Sequence, residues 1–281
     1  MQRSPIDQTS LTLSRFGYGT SRLFNAGTKR RRVRLLKCAL DHGITHFDTA
    51  PYYGFGVSEQ DLGVALVGVS NATIATKVGI YPPGRPSQSS AEVLFRKSGG
   101  KILPFLSRPS IDWTVARARK SLDQSLRHLR KDFVDLLLLH EAEVHLLATD
   151  EWCHWLESER SRVSAFGIAC ASDRVLPFLS GNHPLAKIIQ CSDSVDRREA
   201  DVVLRAGRPL QITFGYLGGP RSEPSEAPEQ LLAAALRRNA TGCVLVSTSR
   251  EDRIGLLAAI AEQDQVQNAH RQVALLAATL P

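Results

Sequence analysis

Four kinds of side chain that can hold or move a proton stand at the ends of short apolar stretches. Asp48 and the Tyr52-Tyr53 pair follow Ile44-Thr45-His46-Phe47, Lys77 closes Thr73-Ile74-Ala75-Thr76, and His140 follows Val134–Leu139. Lysine is scarce, eight of the 35 Lys and Arg residues, so its place at the end of an uncharged run stands out. A buried ammonium needs an anion or it gives up its proton, and Asp48 suits if the two strands are neighbours. A cation beside a phenol favours the phenolate and lowers its pKa, so Tyr53 or Tyr52 would exchange a proton near neutral pH. An imidazole would orient a carbonyl oxygen or share its charge as it forms. Together the four describe carbonyl reduction or its reverse. Singly, each has a quieter explanation: Asp48 as a turn residue, Lys77 reaching solvent, His140 as a hydrogen-bonded structural histidine, the tyrosines as packing. Their arrival in order at the ends of successive strands argues against coincidence.

The elements that would place these residues follow from apolar periodicity. Strands are expected at Arg15–Tyr18, Ile44–Asp48, Thr73–Lys77, Val134–Leu139, Val163–Ala169, Lys187–Cys191, Leu210–Phe214 and Cys243–Ser247. Helices are expected between and after them, at Lys29–His42, Ser58–Leu66, Trp113–Leu129, Glu151–Glu159, Asp173–Leu179, Val195–Ala206, Pro228–Arg238 and Glu251–Glu262. Strands that alternate with helices, and a run such as Val134-Asp135-Leu136-Leu137-Leu138-Leu139 apolar on both faces, predict a closed (β/α)8 TIM barrel of the α/β class. A doubly wound sheet is the runner-up, but Gly17-Tyr18-Gly19-Thr20 lacks the third glycine of a dinucleotide-binding turn. The barrel makes one domain of residues 1–281, with a Pro- and Gly-rich excursion at about 79–110 that should lie over the carboxyl ends of the strands.

Composition narrows the class further. Hydrophobic residues are 43% and charged residues 22% of 281, as in a folded globular protein. No apolar run approaches the ~20 residues that span a bilayer, and the opening MQRSPIDQTSLTLS has no basic start followed by an apolar stretch. A soluble, cytoplasmic chain with no membrane partner is expected. The net charge of +7 invites a nucleic-acid reading. The densest run, Lys29–Arg34, instead leads into Leu35, Leu36 and Ala39 without interleaved aromatics, as the solvated face of a helix would. Five scattered cysteines with no Cys-x-x-Cys pair support neither a disulfide framework nor a thiolate metal site.

Gly43-Ile44-Thr45-His46-Phe47-Asp48-Thr49-Ala50-Pro51-Tyr52-Tyr53-Gly54 with Ser58-Glu59, then Lys77, then Asp132–His140, resembles the aldo-keto reductase superfamily. Further matches are Ser121–Leu129, Gly167-Ile168, Gln190 and Val244–Ile254, so the resemblance covers nearly the whole chain. It implies a (β/α)8 barrel that transfers a hydride between a nicotinamide and a carbonyl carbon, with a tetrad on Asp48, Tyr53, Lys77 and His140. Tyr53 is preferred to Tyr52 because the family's tyrosine falls five positions after its aspartate. The resemblance makes Tyr53 the general acid in reduction, Lys77 with Asp48 the pair that depresses its pKa, and His140 the carbonyl's partner. It also implies a dinucleotide held across the barrel mouth without a glycine-rich turn. Gly19 and Thr20 would lie beside it, Gln190 would contact the carboxamide, Phe214 would stack on the nicotinamide, and Leu217-Gly218-Gly219 would pass the pyrophosphate.

Ser247, Thr248, Ser249, Arg250 and Arg253 would meet a phosphate at a helix start, which favours NADP(H) while leaving NAD(H) possible. Where many members carry Ser-Asn this chain carries Ala169-Cys170, and Ser247 replaces a frequent lysine, so fewer cofactor contacts are expected. No long tail follows the last expected helix, which predicts open access for a small carbonyl or sugar substrate. The wording around Tyr52-Tyr53 resembles the branch of aldose and sugar-lactone-forming dehydrogenases. The competing expectations are a cofactor-binding regulatory protein with little turnover, and a metal-dependent hydrolase on His46, Asp48 and His140, which lacks a His-x-His pair. Sequence leaves the oligomeric state open.

Overall fold

The computed structural model describes residues 1–84, 87–100, 103, 106–218 and 227–278, with side chains described up to residue 266. A short antiparallel hairpin, β1 (Arg3–Pro5) and β2 (Thr12–Ser14), precedes the barrel. Eight strands then close on themselves: β3 (Phe16–Gly19), β4 (His46–Asp48), β5 (Thr73–Val78), β8 (Val134–His140), β9 (Val163–Cys170), β10 (Ile188–Ser192), β11 (Ile212–Phe214) and β12 (Cys243–Val246). All neighbouring pairs are parallel, and β12 pairs with β3. The expected barrel is present as a single domain, and the expected strands agree with it to within a few residues.

Side-chain alternation divides the strands into two cores. Ala75, Leu136, Leu138, Ala169, Ile188, Ile212, Cys243 and Leu245 form one cluster inside the barrel, closed from the amino-terminal end by Ile6, Leu11 and Leu13 of the hairpin segment. The alternate residues, Ile74, Val78, Leu137, Leu139, Ile168 and Ile189, pack outward with the helices. Burial on both faces is why β8 reads as an almost unbroken apolar run. Where two backbones crowd, only glycine fits: a Cβ on Gly167 would sit 2.1 Å from the Ile188 carbonyl oxygen on the next strand.

The surrounding helices include α1 (Lys29–Asp41), α2 (Val57–Ala65), α4 (Val115–Leu129), α5 (Thr149–Ser158), α8 (Pro228–Arg238) and α9 (Glu251–Ala278), with short turns α6 (Leu176–Leu179) and α7 (Asp201–Arg205). The expected start of α4 at Trp113 moves to 115 because Thr114 caps it, its hydroxyl accepting from Arg117 N–H. The expected helix Val195–Ala206 shrinks to α7. Asp193 accepts from Ala200 N–H at 3.0 Å and Ser194 from Arg197 N–H at 3.1 Å, and these side chains compete with the helical ladder. In the other direction, α9 runs well past the expected Glu262.

The excursion has structure of its own: β6 (Ile80–Tyr81) pairs antiparallel with β7 (Ser110–Ile111), and between them lies α3 (Ser90–Gly99), opened by a Ser89/Glu92 capping box. Nor is the basic run on α1 wholly solvated. Arg32 is buried and bonds Asp61 of α2 at 2.5 Å, whereas Arg34 pairs with Glu251 in the open. All five cysteines are free thiols. Among the described residues no helix is long and apolar enough to cross a membrane.

Candidate active site

The site is built by parity. Within a strand, residues two apart face the same way, so Asp48 shares the inward direction of His46, Lys77 that of Ala75, His140 that of Leu136 and Leu138, Gln190 that of Ile188, and Phe214 that of Ile212. Each stands at or near the carboxyl end of its strand, where the barrel opens. They line a cleft of ≈ 270 Å³ together with Gly19, Tyr53, Leu217, Gly218 and Ser247. Tyr53 is delivered by the loop after β4. Gly54, Phe55 and Gly56 all have positive φ (57°, 53° and 90°), a left-handed run that turns the chain sharply into α2. Tyr52 lies apart from this cleft and donates its hydroxyl to the Ser107 carbonyl at 3.3 Å.

The adjacent strands β4 and β5 hold the ion pair. The Lys77 ammonium donates to Asp48 Oδ1 at 2.6 Å and to the Thr49 carbonyl at 3.0 Å, and both charged residues are buried, at 1% and 3% exposure. Burial opposes the Lys77 charge, but Asp48 and then Tyr53 together outweigh it and hold its pKa above the ordinary lysine value. The ammonium lies 4.8 Å from the centroid of the Tyr53 ring. For Tyr53 the balance tips the other way. Burial pushes the phenol pKa up, the Lys77 charge pulls it down, and Asp48 pushes it up again, with a net rise above 10. The expected lowering by Lys77 is present as a contribution but is outweighed by desolvation, so the phenol keeps its proton at neutral pH.

His140 completes the group, its ring edge-on to Tyr53 with centroids 5.9 Å apart. Burial, with the Lys77 charge added, lowers its pKa to about 3, so the imidazole is neutral and can donate one hydrogen bond without carrying a charge. Its Nδ1 is buried with no partner. Gln190 Oε1 is likewise buried and unpartnered. Isolated buried polar atoms are costly, and two in one cleft mark where a ligand's polar atoms belong.

Residues 15–161 match the Aldo/keto reductase family. A D-threo-aldose 1-dehydrogenase from a Pseudomonas species is 30% identical over 261 residues, covering 88% of this chain and 68% of the relative. The chain belongs to the aldo/keto reductase family, and with it to the oxidoreductases. An L-galactose dehydrogenase from Arabidopsis thaliana is 32% identical over 145 residues, covering 49% of this chain; that match spans 37% of the plant enzyme's length. Among solved structures, the holo form of an aldo-keto reductase from Bacillus halodurans superposes with a TM-score of 0.72 at 21% identity, covering 93% of this chain and 91% of that one, a likeness of fold.

The family's cofactor is a nicotinamide dinucleotide, and the residues of this aldo/keto reductase fit one. Gln190 offers an unpaired acceptor for a carboxamide, Phe214 a ring on the neighbouring strand, and Gly218 a stretch of backbone at the rim. Gly19 and Ser247 are in contact, the Ser247 hydroxyl donating to the Gly19 carbonyl at 2.7 Å. Thr20 is buried beneath, bonded through its N–H and hydroxyl to the Asp48 carbonyl. Thr248, Ser249, Arg250 and Arg253 do not line the cleft; the first three lie just before α9 and Arg253 in its first turn, with the Tyr18 hydroxyl bonded to the Thr248 carbonyl at 2.5 Å. Arg250 is engaged by Asp252 at 2.5 Å. Gly219 lies outside the described residues. The departure at 169–170 is asymmetric: Ala169 lines the cleft beside Gln190, whereas Cys170 packs with the outer core and donates its thiol to the Ala142 carbonyl.

Cleft residues that the sequence did not single out include Arg22, Glu141 and Tyr216. Glu141 follows His140 with φ 49°, and its carboxylate accepts from Ala171 N–H at 3.1 Å. Its position next to His140 was the available signal. Tyr216 donates to Asp193, which Arg238 holds at 2.5 Å; three residues from three parts of the chain leave no local pattern to find.

Proposed function

We propose that this aldo/keto reductase is an NAD(P)(H)-dependent oxidoreductase that interconverts the carbonyl and alcohol of a small aldehyde, ketone or aldose. The observation that carries the reading is the buried Lys77–Asp48 pair set against Tyr53 in a cleft that also holds a neutral His140. The nicotinamide, when bound, supplies or accepts the hydride. His140 donates a hydrogen bond to the substrate oxygen and fixes the carbonyl's direction. Tyr53, protonated because burial raises its pKa, gives its proton to that oxygen as negative charge develops there. Lys77 stabilises the phenolate left behind, and Asp48 keeps Lys77 charged in a site too dry to hold it otherwise.

A phenol pKa above 10 favours reduction near neutral pH, and oxidation should speed up as pH rises. Aldoses are included because two relatives are named as aldose or galactose dehydrogenases. NADP(H) is favoured: Arg253 near the start of α9 has no ion-pair partner among the described residues and suits a 2′-phosphate. With Arg250 already paired to Asp252, Arg253 is the one of these two arginines left for that role, and NAD(H) stays a competent alternative.

The test is turnover of an aldehyde and aldose panel with NADPH and NADH, in wild type and Tyr53→Phe. Loss of the general acid should lower kcat by about 10²–10⁴-fold while cofactor binding, followed by fluorescence quenching, stays close to wild type. Near-normal rates in the variant would refute the role of Tyr53. Tight cofactor binding with no turnover of any carbonyl by the wild type would replace the enzyme reading with a regulatory one.

A further inference from the structure

Beside the cleft lies a second cavity of ≈ 360 Å³, lined by Ser21, Tyr52, Tyr53, Gly54, Phe55, Lys97 and Ser107. Tyr53 and Ser21 line both, so the two spaces meet across the proposed proton donor. The outer wall comes from the excursion. On α3, Val93 is fully buried in a small cluster with Phe55 and Val57, against which Phe24 and Tyr52 pack. One turn later Lys97 continues the same helix face, its ammonium 4.8 Å from the centroid of the Phe24 ring and 5.8 Å from that of Phe55.

Among the described residues Lys97 is the one charged group lining this cavity, and it has no carboxylate partner among them. Two aromatic faces supply a cation–π attraction of about 0.5–2 kcal/mol. They do not replace an anion for an ammonium that is partly withdrawn from water, and burial alone pulls its pKa below the ordinary lysine value. The other described lining residues add hydroxyl groups and aromatic surface but no acid. An ammonium beside polar donors and apolar walls complements a carboxylate on a compact organic frame.

We propose that this cavity is a substrate subsite in which Lys97 binds a carboxylate carried on the far side of the substrate from its reacting carbonyl. The inference rests on the reading of Tyr53 as proton donor, because that shared residue places the carbonyl at the junction of the two cavities. The substrate class becomes the carboxylated aldehydes and ketones, including acidic sugars, and α3 becomes a specificity element.

The test compares 4-formylbenzoate with its neutral methyl ester by ligand-observed NMR on the full chain, alongside turnover. A charge-assisted bond in a partly hydrated site is worth about tenfold in affinity, so wild type should bind the acid about ten times more tightly than the ester. In Lys97→Met, which keeps the apolar stem, the acid-to-ester ratio should fall to about one; Lys97→Arg should keep most of it. An acid-to-ester ratio near one in wild type, or one that persists in Lys97→Met, overturns the subsite. Selective acid binding that depends on Lys97, with no turnover of either compound, would uphold the subsite and sink the catalytic reading instead.

Discussion

The Lys77–Asp48 pair makes a sharp claim about what it is for. The Asp48 carboxylate accepts from Lys77 at 2.6 Å and from no other group that the structure shows; the neighbouring Thr20 bonds go to the Asp48 backbone carbonyl instead. Replacing Lys77 by Met therefore leaves a carboxylate at 3% exposure with no cation, and breaking a buried pair in this way costs about 3–5 kcal/mol. Asp48→Asn is milder. Lys77 keeps its bond to the Thr49 carbonyl and can shed its proton, so about 2 kcal/mol is expected. In the double variant no charge is stranded, and the main loss is the Thr49 carbonyl's donor, about 1–2 kcal/mol. The double variant should thus be more stable than Lys77→Met alone, with a coupling of about 4–5 kcal/mol.

Urea unfolding followed by circular dichroism measures this directly, provided the three variants keep the wild-type denaturant slope. All three should be nearly inactive, because Lys77 is absent or its counter-charge is gone. Recovered stability without recovered turnover would mean that the pair is kept for proton transfer and not for folding. If instead the double variant loses as much as the two single variants combined, the residues act independently and the electrostatic argument for the site fails.

Other outcomes follow from the same geometry. His46 and His140 both have pKa values lowered to about 3, chiefly by burial. The unfolded chain takes up these protons first, near pH 6.5, so their contribution to stability is complete above that pH and is lost as pH falls toward 3. Together the two should remove roughly 3 kcal/mol between pH 6.5 and 5, readable as falling urea midpoints; imidazole NMR signals from either residue that titrate near 6.5 would contradict this. Gln190→Met should leave the unliganded protein equally or more stable in thermal melts, since Oε1 is already unpaired, yet weaken nicotinamide binding about tenfold; lower stability would mean that the side chain has a structural partner. Arg253→Ala should weaken NADPH about tenfold and NADH hardly at all in fluorescence titrations, and equal weakening would remove the 2′-phosphate from that position.

The proposed catalytic set was legible in the sequence because parallel strands buried on both faces tolerate charge only at their ends. Asp48, Lys77 and His140 each interrupt an apolar run, and adjacency of β4 with β5 and of β5 with β8 is the expected neighbour order of a barrel. Tyr53 was less legible: choosing it over Tyr52 needed the family's spacing, and the structure supplies the local reason in the left-handed Gly54–Gly56 turn that carries it to the cleft. The amino-terminal hairpin escaped notice because three-residue strands have too little periodicity to register. The net effect of burial on Tyr53 escaped too. The Lys77 cation is visible as a residue type, whereas the desolvation that outweighs it is a property of the assembled cleft.

Lys97 shows where reading along a chain stops working. In the sequence it is one cation in a Pro- and Gly-rich excursion, where neither α3 nor its docking face was expected. Its partners, Phe24 and Phe55, come from segments 73 and 42 residues earlier, and nothing in their local pattern marks them as a cation's seat. The barrel's chemistry is written at strand ends, where the fold itself restricts the residue types. Its selectivity resides in segments that the fold leaves unrestricted, so it becomes visible only when α3 is seen packed against the Phe55–Val57 cluster beside Tyr53. Relatives that share the tetrad but differ between positions 79 and 110 should accordingly share the reaction and differ in the substrate's distal group.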